Sequence, residues 1–231
     1  MGVYLIIGGS SGVGLATCSA LLQEGHNVIA SYNEHPIEIT HPKLVTFYWN
    51  AMDGSLNKEI IPEMLDGFIY CPGLINLKPF HRMKLEDFME DLRVQFLGAV
   101  QITQDVLLNL KASKAASVVF ISTIAVQRGF PFHSLVGASK GALEGLMRSL
   151  AAEYAPSIRF NCIAPSILDT PLSSKILSTE NKIKDLAEKH PLKRIGTSTD
   201  IANAATFLLT EKSSWITGEV IHIDGGKSKL F

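Results

Sequence analysis

Apolar residues along this chain fall into short unbroken blocks, separated by longer stretches in which they recur at helical spacing. The blocks lie at residues 3–7, 28–31, 45–49, 67–70, 117–122, 159–163 and 219–223. Four to six residues is strand length, and blocks with so few polar positions belong to strands buried on both faces. Residues 12–24, 85–109, 139–154 and 200–209 carry the helical period; in the second, Phe88, Leu92, Phe96 and Val100 stand four apart. Strands alternating with helices predict a parallel sheet covered on both sides, joined by right-handed crossovers. The expected fold class is therefore α/β, a three-layer doubly wound fold around a parallel seven-stranded sheet. Such sheets take ligands beyond the carboxyl ends of their strands, so the loops after strands one, two, four, five and six are the candidate site. Residues 173–190 read as one or two short amphipathic helices. No repeat or Pro/Gly/Ser linker divides the sequence, and residues 1–231 read as a single domain.

Composition narrows the function. Hydrophobic residues make up 46% and charged residues 19%, enough for a full core. A net charge of −1, from 21 basic and 22 acidic residues, offers no basic surface for nucleic acid. Cys18, Cys71 and Cys162 are far apart, odd in number and without metal-ligand spacing. Neither a disulfide framework nor a metal site is expected, and a reducing, cytoplasmic setting is. No apolar block approaches the roughly 20 residues of a membrane span, and residues 3–7 are too short for a secretory leader.

Glycine carries the chemistry. Gly8-Gly9-Ser10-Ser11-Gly12-Val13-Gly14 directly follows the first strand and opens a helix. Small residues let the backbone turn sharply and approach a phosphate, while a helix N-terminus supplies free N–H groups and a positive dipole end. Gly14 would let helix and strand pack closely. The spacing is neither GxGxxG nor that of a Walker loop, since no Gly-Lys-Ser/Thr follows.

The pattern Gly8-x-x-x-Gly12-x-Gly14 resembles the cofactor loop of the short-chain dehydrogenase/reductase family, with Ile7 where Thr is usual. Other segments along the chain are similar to that family too: Ser139-Lys140-Gly-Ala-Leu, Asn161 to Pro171, Pro191 to Gly196, Asp200-Ile-Ala, and Thr217-Gly218 with Asp224-Gly225-Gly226. The resemblance implies a Rossmann-type fold, NAD or NADP as cofactor, and hydride transfer to a carbonyl, or in one branch an enoyl, of a small-molecule substrate. It also implies a homo-oligomer, dimer or tetramer, with Leu92, Phe96, Leu143, Leu146, Met147 and Leu150 available for the interface. Gly8, Ser10, Ser11, Gly12, Val13 and Gly14 would hold the pyrophosphate and adenosine side, with Asn33, Asn50, Ala51 and Gly73 nearby. Lys140 would hold the nicotinamide ribose, and Pro165, Ile167 and Thr170 would flank the nicotinamide. Where an acid would bind the adenosine ribose and repel a 2′-phosphate stands Tyr32, followed by Asn33 and Glu34. This favours NADP and leaves NAD open, because no Arg or Lys stands there to pair with the phosphate.

At the catalytic positions the chain departs from the family. The acid that protonates the carbonyl oxygen is a Tyr four residues before the Lys; here that residue is Val136, which holds no proton. The polarising Ser corresponds to Thr123, with Ser122 beside it, and the Asn of the long helix to Gln95. His133 lies seven residues before Lys140, the Tyr-to-Lys spacing of the enoyl reductase branch, and histidine is a competent acid. Tyr70 and water are further candidates. The catalytic set is then Lys140, Thr123, His133 and Gln95. Loss of the Tyr keeps a second function in view, a non-catalytic NAD(P)-binding pseudoenzyme acting as a sensor or interaction subunit.

Overall fold

A computed structural model describes residues 1–230. Its main sheet has seven strands, all parallel, in the order β3-β2-β1-β4-β5-β6-β9. In chain order these are β1 (Val3–Ile7), β2 (Asn27–Tyr32), β3 (Leu44–Tyr48), β4 (Gly67–Tyr70), β5 (Ala116–Ile121), β6 (Ile158–Pro165) and β9 (Val220–Ile223). Two-residue strands β7 (Leu168–Asp169) and β8 (Gly196–Thr197) pair separately. The helices are α1 (Gly12–Gln23), α2 (Leu85–Leu92), α3 (Gly98–Lys111), α4 (Ala125–Arg128), α5 (Ser134–Tyr154), α6 (Glu180–Glu188) and α7 (Ser198–Leu209).

Successive side chains on a strand point to opposite faces, and the two halves of the core follow that rule. Leu5, Ile7, Phe68, Tyr70, Val118, Phe120 and Phe160 face α3 and α5, meeting Ile102, Val106, Leu143 and Met147. Tyr4, Ile6, Ile69, Val119 and Ile163 face α1 and α7, meeting Cys18, Leu21, Ile201 and Leu208. Leu5 pairs with Phe68 and Ile7 with Tyr70 between β1 and β4, so the faces stay in register across the centre of the sheet.

Several boundaries differ from the sequence expectation, and three of the differences have a clear physical reason. The long helix 85–109 is interrupted: residues Arg93–Leu97 form a π turn between α2 and α3, a widening common where a side chain must be re-aimed at a functional site. Helix α5 starts at Ser134 rather than 139, because Leu135 is buried and secures a first turn that Gly137 had disguised as loop. Helix α7 starts at Ser198, two residues early, behind a cap in which Thr197 Oγ1 accepts from Asp200 N at 3.2 Å and Thr197 N donates to Asp200 Oδ2 at 2.7 Å. The segment 173–190 contains one helix, α6. Of the six apolar positions expected at a subunit interface, Leu143 and Met147 are wholly buried in the chain's own core. Leu85, Met89, Leu97 and Leu108 are the large apolar residues that α2, the π turn and α3 leave exposed. No helix among the described residues is long and apolar enough to cross a membrane.

Phe120 lies between the Phe68 and Phe160 rings, with centroids 6.0 and 6.4 Å away. Phe120→Ala should cost about 3–5 kcal/mol, measured as a lowered urea midpoint with an unchanged slope.

Candidate active site

Consecutive strands run outward from β1 in one direction and from β4 in the other, so the connections after these adjacent strands leave toward opposite faces and open a crevice between them. A cleft of about 500 Å3 occupies that crevice. One end is walled by Tyr32, Asn33, Glu34, His35, Asn50 and Ala51, the middle by Gly8 and Ser10 to Gly14, and the other end by Gly73, Gln95, Thr123, Val136, Lys140, Pro165, Ile167 and Thr170.

The glycine loop is shaped by backbone needs. Gly8 has φ +82°, a conformation that side chains strain, and its N–H donates to Ser31 Oγ at 2.9 Å. A Cβ on Gly14 would lie 2.0 Å from the Gly8 carbonyl oxygen, so only glycine lets α1 start this close to β1. The first turn of α1 contains no acidic residue and opens toward the cleft. Its N–H groups and dipole end favour an anion there. Residues of this kind fit a dinucleotide with its phosphates over the loop. Tyr32, Asn33 and Glu34 place no carboxylate at the strand end itself, and Glu34 and His35 lie beyond it in the same wall. Asn50 lines the cleft while its Oδ1 accepts from Met52 N at 2.8 Å, capping the turn after β3.

At the opposite end a buried polar cluster forms. Lys140 is 5% exposed and Gln95 1%. Gln95 Nε2 donates to Asp91 Oδ1 at 2.7 Å and contacts Ser139 Oγ at 3.3 Å, and Ser139 Oγ donates to the same Asp91 oxygen at 2.5 Å. The other oxygen of Asp91 has no partner. Gln95 Oε1 and the Lys140 amine border the space over Gly73, where a Cβ would lie 3.2 and 3.9 Å from them. Burial brings the Lys140 ammonium down from its ordinary 10.5 to about 8, with the Asp91 carboxylate, then Cys162 and Cys71, opposing the fall. Cys71, also in the cleft wall, has its thiol pushed up to about 12 by burial, which leaves it unreactive.

The two hydroxyls after β5 divide their work. Ser122 is buried and donates to Glu144 Oε1 at 2.6 Å, and Gln127 Nε2 donates to both oxygens of that carboxylate at 2.7 Å. Thr123 only accepts, from Ala125 N at 3.2 Å, so its own proton is free for a ligand.

All the expected cofactor-side residues line this one cleft, together with Lys140, Thr123 and Gln95. His133 is not among them. It lines a separate pocket of about 340 Å3 with Phe80, Phe130 and Phe132. Its Nδ1 lies 2.8 Å from the Pro131 carbonyl, which can only accept, so the neutral ring has no proton on Nε2 to give. His133 stands just before the first residue of α5, off the helical path that carries Lys140. Tyr70 is wholly buried and donates its hydroxyl inward to Val94 O at 2.5 Å. Val136 does line the cleft, in the wall it shares with Lys140. Sequence reasoning missed Asp91; its one signal is an acid four residues before Gln95, a spacing that puts both on one helix face. No group of three or more His, Cys, Asp or Glu among the described residues is placed to hold a metal ion.

This geometry is that of a nucleotide-binding oxidoreductase fold, and the chain belongs to the short-chain dehydrogenase/reductase family. Residues 51–228 match the profile of the family described as Enoyl-(Acyl carrier protein) reductase. The 3-oxoacyl-[acyl-carrier-protein] reductase FabG of Thermotoga maritima is 30% identical over 239 residues, covering 97% of this chain and 96% of its own. A tropinone reductase homologue of Arabidopsis thaliana is 31% identical over 244 residues, covering 96% and 78%. Among solved structures, ElxO with NADP bound superposes with a TM-score of 0.88 at 27% identity, covering 98% of this chain and 99% of that one.

Between about pH 8 and 10.5 the unfolded chain binds a proton at residue 140 that the folded protein does not, so this group makes stability rise with pH across that window. The rise should be about 3 kcal/mol. Urea denaturation from pH 7.5 to 10.5 should show it in the wild type and lack it in Lys140→Met. Asp91→Asn should move its onset below pH 8.

Proposed function

We propose that this protein is an NADP(H)-dependent oxidoreductase that reduces the carbonyl of a small-molecule substrate at a site lacking the usual phenolic acid. The observation that carries this reading is the convergence, in one cleft, of a phosphate-shaped glycine loop with Lys140, Thr123 and Gln95. Bound with its phosphates over that loop, a reduced nicotinamide would supply a hydride to the substrate carbon. Lys140 would hold the ribose hydroxyls, its charge sustained by Asp91. Thr123, with its proton free, would donate to the carbonyl oxygen and stabilise the developing negative charge. The proton that completes the alcohol would come from water, since Val136 holds none, His133 faces another pocket and Tyr70 is committed to Val94. NADP over NAD is supported by the lack of a carboxylate at Tyr32 and by the hydroxyls of Ser10 and Ser11. The curated relatives named as reductases and the NADP-bound neighbour accord with it.

Val136 also favours the second reading, a non-catalytic NAD(P)-binding protein acting as a sensor or interaction subunit. Turnover separates the two. The wild type should bind NADPH and reduce carbonyl substrates slowly. Val136→Tyr, which restores an acid beside Lys140, should raise kcat by about 10²-fold or more, followed as loss of NADPH absorbance. NADPH binding with no turnover in either protein would establish the non-catalytic reading. The chain is also proposed to be a homo-oligomer through the face of Leu85, Met89, Leu97 and Leu108. Light scattering should give a dimer or tetramer mass, and Leu97→Lys with Leu108→Lys should reduce it.

A further inference from the structure

Glu144 is a carboxylate on α5, 2% exposed, one helical turn after Lys140 and outside the wall of the cleft. Three groups donate to it. Ser122 Oγ reaches Oε1 at 2.6 Å, Gln127 Nε2 reaches both oxygens at 2.7 Å, and Arg148 reaches Oε2 at 3.3 Å. Arg148 stands on α5 itself, one turn further on, with its side chain 56% exposed. The other two donors come from the chain after β5. Ser122 is buried, Gln127 reaches in from the exposed side of α4, and Thr123 lies between them.

The direction of each hydrogen bond follows from the groups. A carboxylate only accepts, so Ser122 gives its proton and Gln127 turns its NH2 inward. The Gln127 carbonyl oxygen is then left to accept from His222 Nε2 on β9, 3.2 Å away. Backbone bonds fix the same segment to the sheet: Ser122 N donates to Ile163 O at 2.7 Å and Ile124 N to Pro165 O at 3.1 Å, both on β6. Those bonds set where the segment lies along the sheet. The bonds to Glu144 set where it lies against α5, the helix that carries Lys140. A buried carboxylate deprived of its donors is costly, so segment and helix keep one spacing. Thr123 Oγ1 is steadied within the tied segment by Ala125 N at 3.2 Å.

We propose that Glu144 is a positioning residue for Thr123: by accepting from Ser122 and Gln127 together, it fixes the Thr123 hydroxyl relative to Lys140. The assignment rests on the oxidoreductase reading above, in which Thr123 donates to the carbonyl oxygen while Lys140 holds the ribose. Both groups must address one substrate and cofactor at once, and a displacement of about 1 Å can cost about 10²-fold in rate. Ser122 anchors the residue before Thr123 and Gln127 the helical turn after it, so the segment cannot pivot about either tie. The carboxylate that sustains the Lys140 charge is Asp91; Glu144 acts through geometry.

Steady-state reduction of para-nitrobenzaldehyde by the full chain, followed as loss of NADPH absorbance, tests this as a double-mutant cycle. Glu144→Gln keeps the side-chain volume and replaces one acceptor oxygen by a donor that opposes the Gln127 NH2. It should lower kcat by about tenfold and leave KM for NADPH within about twofold. In a Thr123→Val protein the same substitution should change kcat by less than about twofold, because no hydroxyl remains to be placed. A residue that only supported the fold would lower kcat equally in both. If Glu144→Gln does not fold, Gln127→Met decides in the same cycle. It cuts one tie from the protein surface and should lower kcat by about threefold or more only where Thr123 is present. An unchanged kcat, an equal loss in both backgrounds, or a loss confined to KM for NADPH overturns the positioning role and leaves the oxidoreductase reading standing. No turnover by the wild type or by Val136→Tyr overturns both.

Discussion

Two adjacent parallel strands whose connections depart to opposite faces must leave a gap between those connections, and the candidate site depends on that gap. Here the strands are β1 and β4. The chain after β1 turns through Gly8 into α1 on one face; the chain after β4 passes Cys71 and Gly73 toward α2 and α3 on the other. Backbone polar groups at the strand ends are thus left facing a cleft instead of each other. Close packing at its floor follows, since the Gly8 carbonyl sits where any side chain on residue 14 would be.

The wall around Lys140 is governed by the cost of burying charge. An ammonium as buried as that of Lys140 is tolerable only with a compensating carboxylate and hydrogen-bonding groups around it. Asp91 supplies the carboxylate, and Gln95 stands between with its amide NH2 on Asp91 and its carbonyl toward Gly73 and Lys140. The π turn at Arg93–Leu97 contains Gln95 and sets its direction. Val136 stands in the same wall without a polar atom. In the proposed oxidoreductase the site would keep the groups for binding and for polarising an oxygen, while the proton would have to arrive by solvent.

Much of this was legible from the residues. Seven apolar blocks became the seven strands of the main sheet; the inner strands, buried on both faces, cannot hide their composition, while the edge strands β3 and β9 are only partly buried. The glycine loop was legible because steric demand at Gly8 and Gly14 is local, acting over six residues. The resemblance of Ser139-Lys140 and of the segment from Asn161 to Pro171 placed the far end of the cleft. Boundaries were less legible where tertiary burial outweighed local propensity: Leu135 carries α5 through Gly137, and the break at Arg93–Leu97 leaves the apolar period of the helix almost unchanged.

By itself, then, the amino-acid sequence determined the layer order, the glycine loop after β1 and many of the residues lining the cleft, since periodicity and local sterics are properties of neighbours in the chain. The tertiary structure alone decided which polar groups meet. Asp91 and Ser139 are 48 residues apart and Ser122 and Glu144 are 22 apart, and no spacing rule links such pairs. It also decided that His133, seven residues from Lys140, turns into a different pocket. Two residues seven apart share a helix face only if the helix runs unbroken through both. His133 lies just before the first residue of α5, where the chain has left the helical path and its side chain follows the loop.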